Sequence, residues 1–467
     1  MATDSLMKRF LAPLLLLLCL SGTQALAQKG TGLILDEERY ERSTLRQATL
    51  TNAAYAQLPP SFSLKAWCPY PGNQLQLNTS AGWAAAYGAR TILEAQRKGW
   101  TDAREIAMQA YSPVYNYTLV KPTEDEDCDS PVHLSDLLES MNKAGSPRYF
   151  DLPSFCPQEL PEGLEETAIA ASNIGFNRLY DAHDNADYKV KALKKALAEG
   201  FPIVAGMHCP PSFLRAEEFW RPVELYSTDF PGHAMVVVGY DDSKFGGAFE
   251  VLNSWGKGWG NEGYTWILYK DFAEFFPQAF ELFETAARGQ GDADLSGSLV
   301  FELESGQEMI ISPHEMGSLF RMVQPWASGT RFRILVSNNE PAYLYAFGSD
   351  ATEAIFPVFP PRKWVSAYLP YRSNNFEIPG SGNLIQMDNT TGKDYFCFVY
   401  SLEKIDFEAL VAALEAGQGT FVERVEAGLG EVLVSPDHIN WGDKGIIFTA
   451  SSHGKSAVAV IIEITHI

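Results

Sequence analysis

The sequence predicts an α+β chain of two domains, on three observations. Helix-period segments cluster before residue 200, strand-like runs follow up to residue 269, and the second half is mainly strand-like. At 467 residues the chain exceeds the size at which a single core keeps growing. Its 46% hydrophobic content argues for folded structure throughout. A formal charge of -22 argues against nucleic acid and anionic membrane as partners, since both require Lys/Arg patches.

Residues 1–27 read as a secretory signal peptide. Lys8 and Arg9 precede the apolar run Phe10 to Leu20, and Ala25-Leu26-Ala27 offers small residues for cleavage before Gln28. The run is too short to span a bilayer comfortably, and no other long apolar run exists, so no transmembrane segment is expected. Cys19 lacks the small preceding residue of a lipoprotein site. The expected location is therefore periplasmic or secreted. Residues 28–57 form an N-terminal extension.

Residues 58–287 carry the first domain. Ala81 to Gln96, Leu134 to Lys143 and Lys189 to Glu199 repeat apolar residues at helical spacing and end near Gly. Pro202 to Met207, His233 to Asp241, Ala248 to Asn253 and Tyr264 to Tyr269 are apolar runs of strand length. Helices first and sheet later suit two lobes with a cleft between them. The long loop 208–232, with Phe213, Phe219, Trp220 and Tyr226, is placed to wall that cleft.

Three motifs lie across this domain: Asn73-Gln74-Leu75-Gln76-Leu77-Asn78-Thr79-Ser80-Ala81-Gly82-Trp83, His233-Ala234-Met235-Val236-Val237-Val238-Gly239-Tyr240, and Asn253-Ser254-Trp255-Gly256. Together they resemble the papain-like (C1) cysteine peptidases, particularly bacterial secreted members, with serine where the family carries its nucleophilic cysteine. The resemblance implies a papain-like two-lobed fold, helical on one side and β-rich on the other. It implies Gln74 in the oxyanion hole, Ser80 at the nucleophile's place, His233 as base, Asn253 orienting the imidazole and Trp255 shielding that bond. A second register puts Gly82 at the nucleophile's place and uses Gln76; the first also matches Asn73 and the later run from Gly82 to Thr91. Neither register supplies a cysteine.

The substitution matters because a thiol at a helix N-terminus beside a histidine is readily ionised, whereas an alcohol is not. Ser80 would need His233 to remove its proton during attack. Further departures from the family point the same way. Leu75 and Asn78 replace glycines, so bulk is expected to obstruct the cleft. In Cys128-Asp129-Ser130-Pro131-Val132, where the resemblance implies substrate-backbone binding by Ser130 and Pro131, Pro131 has no N–H to donate. The N-terminal extension is short for the family's inhibitory propeptide.

After cleavage five cysteines remain, Cys68, Cys128, Cys156, Cys209 and Cys397, an odd count in a compartment that permits disulfides. The family bonds the cysteine matching Cys128 to one three residues before the nucleophile, but Leu77 stands there; Cys128 with Cys156 is the preferred alternative. His208-Cys209 has no spaced second pair to make a zinc site. No metal and no cofactor is expected.

Ala286 to Ser298, rich in Gly, Asp and Ser, reads as linker, with 288–298 as its core, and 299–467 as a β-rich C-terminal domain. Its expected strands are Arg331 to Ser337, Ala342 to Phe347, Asn383 to Met387, Tyr395 to Tyr400, Glu431 to Ser435, Ile446 to Thr449 and Ala457 to Thr465, with one helix from Asp406 to Glu415. Tyr343-Leu344-Tyr345-Ala346-Phe347 with later Phe-Pro and Ile-Pro pairs resembles an uncharacterised bacterial module appended to secreted peptidases and kinases. Tyr343, Tyr345, Trp364, Tyr368 and Tyr371 are either a recognition surface or core. The whole predicts a secreted peptidase homologue without turnover that binds a peptide or protein ligand. The alternative is an active serine-type peptidase or acyl transferase using Ser80, His233 and Asn253.

Overall fold

A computed structural model describes residues 29–46, 58–153, 156–285, 294–313, 318–370, 374–380, 382–442 and 445–467. The signal-peptide reading of 1–27, the 288–293 part of the linker and Tyr371 lie outside the described residues.

The chain is α+β. Ser80–Lys98 is one continuous helix made of an α turn (Ser80–Gly82), a π stretch (Trp83–Arg90) and an α segment (Thr91–Lys98). Thr79 is its N-cap residue, and Gly99 closes it in the left-handed region at φ 69°. The alanines at 81, 84, 85, 86 and 89 are all buried, and their small side chains let the helix pack against the strand Gly232–Asp241. Leu134–Ala144 and Ala186–Ala198 are the other long helices of this half.

The first sheet runs Ile174–Arg178, Gln278–Glu284, Ile203–His208, Gly232–Asp241, Ala248–Leu252, Tyr264–Leu268 and Phe219–Trp220. Its central strands are buried on both faces, which is why they read as continuous apolar runs rather than alternating ones. The 208–232 segment is more ordered than a plain loop. It holds a 3-10 turn (Pro211–Arg215) and the edge strand Phe219–Trp220.

The second half is a sandwich of a six-stranded and a seven-stranded sheet. Side chains alternate across the seven-stranded one: Phe396, Phe398 and Tyr400 face the inter-sheet core, whereas Cys397 and Val399 pack with Leu410, Leu414, Phe421 and Val425 of two helices on the outer face. Those helices are Phe407–Ala416 and Phe421–Leu429. Two sequence expectations fail here. Glu431 to Ser435 is not a strand, because Gly430–Val432 is a 3-10 turn ending the second helix. Leu295 to Ser298 belongs to the strand Leu295–Leu303 rather than to the linker. Of the two readings of the aromatics, core holds for Tyr345 and Tyr368, which are buried, while Trp364 is exposed.

The N-terminal segment ties both halves together. Tyr40 is buried and donates from its hydroxyl to the carbonyls of Tyr180 (2.8 Å) and Ala279 (3.1 Å). Leu45 bridges Arg178 on one side and Val365 of the C-terminal half on the other. Arg46 is buried against Glu199 (2.6 Å) and Glu281 (3.1 Å). No helix among the described residues is long and apolar enough to cross a membrane.

Candidate active site

Gln74, Ser80, His233, Asn253 and Trp255 come together where the helix start meets the strand Gly232–Asp241. Gln74 is fixed at both ends: its backbone N–H donates to Ser254 O (2.9 Å), and its Oε1 accepts from the Ser254 hydroxyl (2.5 Å). That orientation leaves Nε2 to donate to Leu77 O (2.8 Å) and to Thr31 O (3.1 Å). The Ser80 backbone N–H donates to the same Thr31 oxygen at 3.1 Å. Two donors thus converge on one carbonyl oxygen, the arrangement that stabilises a developing oxyanion. Position 80 therefore lies at the groove. Gly82 is instead buried so tightly that a Cβ there would lie 1.8 Å from Pro113 O.

On the opposite wall, His233 Nε2 and Asn253 Oδ1 are 2.7 Å apart. The Ser254 backbone N–H also donates to that Oδ1 (2.7 Å), which fixes the amide's orientation and makes Nε2 the protonated ring nitrogen. Trp255 stacks on the imidazole at 4.4 Å and 23°, with Trp259 and Phe213 packed on Trp255. Phe213 belongs to the 208–232 segment, which thus backs this wall. Burial pushes the His233 pKa down to about 4; the Asn253 hydrogen bond opposes the shift, and the Lys29 charge adds to it. His233 Nδ1 has no hydrogen-bond partner. The Ser80 hydroxyl oxygen accepts from the Ala234 backbone N–H at 3.2 Å. Base and hydroxyl are neighbours, yet the hydrogen bond that general-base activation requires is not made.

The groove holds the chain's own residues 29–35. Gly30 N–H donates to Leu75 O (3.1 Å), and Gly30 O accepts from Trp255 Nε1 (2.8 Å). Thr31 N–H donates to Asn78 Oδ1 (3.0 Å), and Gly32 O accepts from Val132 N–H (3.2 Å). Leu33 then pairs with Val132 and Gly232. Glycine is required at 30 and 32, because a Cβ would lie 2.0 Å from Leu77 O and 1.9 Å from Asn78 O respectively. Lys29 lies over Trp255, 5.1 Å from the ring centre.

Three expectations change with this geometry. Leu75 does not obstruct, since its side chain is 61% exposed while its backbone takes the left-handed φ of 58°. Asn78 grips residues 29–35, which form a strap along the groove, instead of blocking them. Pro131 costs no backbone pairing, because Val132 supplies the N–H; Ser130 is tied by its backbone to Asp125 and Tyr117 and makes no hydrogen bond to the strap. The seven residues 29–35 are enough to line the groove despite the short extension. Sequence reasoning missed Gly30 to Leu33, Ser254 and Val132; the only local signal was the Gly-Thr-Gly at 30–32, where side chains are small. Cys128 is bonded to Cys156, and Cys68, Cys209 and Cys397 are buried thiols.

Residues 169–274 match the model of the papain family cysteine proteases, a span that takes in His233, Asn253 and Trp255 but not Gln74 or Ser80. An uncharacterized peptidase C1-like protein of Acanthamoeba polyphaga mimivirus is 28% identical over 169 residues, which is 34% of this chain and 53% of that protein. The chain thus spans about half the length of this relative. Among solved structures, xylellain, a cysteine protease from Xylella fastidiosa, is 20% identical with a TM-score of 0.44, covering 56% of this chain and 97% of that one. The bromelain protease from Ananas comosus is 16% identical with a TM-score of 0.38, covering 48% and 98%. The family match and the viral relative make the part of the chain that carries His233, Asn253 and Trp255 similar to the papain-like peptidases of the C1 family.

Proposed function

We propose that this protein is an exported papain-like peptidase homologue that has lost turnover and binds an extended peptide or protein segment. The observation that carries the reading is the state of residue 80. Its side chain is an alcohol, and its oxygen is held by Ala234 N–H rather than paired to His233. A helix terminus and a histidine ionise a thiol, but they leave an alcohol dependent on a base contact that is not made here. Peptide binding is supported by the strap, whose backbone is hydrogen-bonded along the groove as an added strand would be. The signal-like residues 1–27 support export.

The test is incubation of the purified protein with peptide libraries and unfolded proteins. No turnover is expected. Cleavage that disappears in Ser80→Ala would overturn the proposal. A second reading, a serine-type hydrolase or acyl transferase, is favoured by the two donors converging on Thr31 O. It requires covalent labelling of Ser80 by a fluorophosphonate, and a folded protein that resists labelling would end it.

A further inference from the structure

The C-terminal sandwich opens at one end into a cavity of about 330 Å³. Its floor comes from both sheets: Phe332 and Ile378 from one, Phe396 and Ile464 from the other, all buried. Protein interiors leave few voids larger than a water, and a space of this size falls in the range of small-molecule sites. Three carboxylates stand at the rim. Asp388 is exposed, and Asp350 and Asp394 are half-buried. Two are fixed by local turns, with Asp350 accepting from Thr352 N–H (2.8 Å) and Asp388 from Thr390 N–H (2.7 Å). Asp394 lies 3.0 Å from His466 through Oδ2, while its buried Oδ1 has no hydrogen-bond partner.

Among the lining residues there is no Lys or Arg. The nearby Lys393 is engaged elsewhere, with Glu463 at 3.1 Å. Burial pushes the Asp394 carboxyl up, His466 opposes the rise, and the nearby Asp388 and Asp350 carboxylates add to it. A metal is not the matching occupant, because among the described residues no three His, Cys, Asp or Glu groups are placed to share one. A Lys or Arg side chain of a partner protein fits poorly, since it would send its charged tip onto an apolar floor.

We propose that this cavity binds a small amphipathic organic amine, its apolar body between Phe332, Phe396 and Ile464 and its ammonium at the Asp350–Asp388–Asp394 rim. The site is independent of the papain-like groove. Calorimetry on the full chain with hexylammonium, 1-hexanol and hexanoate tests it. Saturable one-to-one binding of hexylammonium is expected, with hexanol weaker by about tenfold and hexanoate weaker still. Asp388→Asn, an exposed position whose change should leave folding intact, should weaken hexylammonium about threefold or more and leave hexanol unchanged. Hexanol binding as tightly as hexylammonium would overturn the proposal. So would no saturable heat up to about 10 mM, an unaffected Asp388→Asn, or equally tight binding of a peptide with an internal lysine.

Discussion

Acidifying this protein should destabilise it, and His233 should supply a separable share of the loss. Its imidazole is wholly buried, and its folded pKa of about 4 lies below the ordinary 6.5. Between those values the unfolded chain binds a proton that the folded chain refuses, so stability falls as pH falls, starting near 6.5 and ending just below 4. At about 1.4 kcal/mol per pH unit, His233 should cost about 2 kcal/mol of stability by pH 5 and about 3 kcal/mol by pH 4. Urea unfolding at several pH values, for the wild type and for His233→Gln, isolates this residue because every other titrating group is common to both. The difference between the two should shrink by those amounts on acidification. A difference flat from pH 7 to about pH 4, or an NMR titration placing the imidazole at or above its ordinary value, would refute the reasoning. The same neutrality means that at pH 7 the folded protein holds an uncharged base beside Ser80.

Other perturbations test the strap and the scaffold. Ser80→Cys should react slowly with an epoxide probe, and adding Gly32→Val, whose side chain would meet Asn78 O, should speed labelling about tenfold or more by expelling the strap. Equal rates would mean that the strap does not cover the site. Arg46→Met removes the cation paired with the buried Glu281 carboxylate, leaving the hydrogen bond from Asn177, and should lower stability by about 3 kcal/mol or more, read from denaturant unfolding. Replacing both Cys128 and Cys156 with serine releases a loop closed over a separation of 28 residues and should cost about 3–4 kcal/mol, read the same way.

Much of this architecture was legible because it is written in local periods. The double-buried strand at 232–241 announces itself as an unbroken apolar run, and so does the sandwich strand 392–401 through Tyr395 to Tyr400, whose side chains the structure sends alternately to two cores. The site residues were legible for a different reason: Gln74, Ser80, His233, Asn253 and Trp255 lie in motifs that resemble those of the papain-like peptidases. The helix Phe421–Leu429 was missed although its start is marked, because Thr420 and Glu423 form a capping box.

Composition and local pattern by themselves determined the α+β class and most strands, and the resemblance of three motifs supplied the residues expected to face one another across a groove. Only tertiary structure decided what fills that groove. The strap's partners lie far away in sequence: Asn78 is 47 residues from Thr31, and Trp255 is 225 residues from Gly30. No short-range period encodes such pairings. They exist because two lobes fold around a segment whose glycines let its backbone approach closely enough to be hydrogen-bonded on both sides.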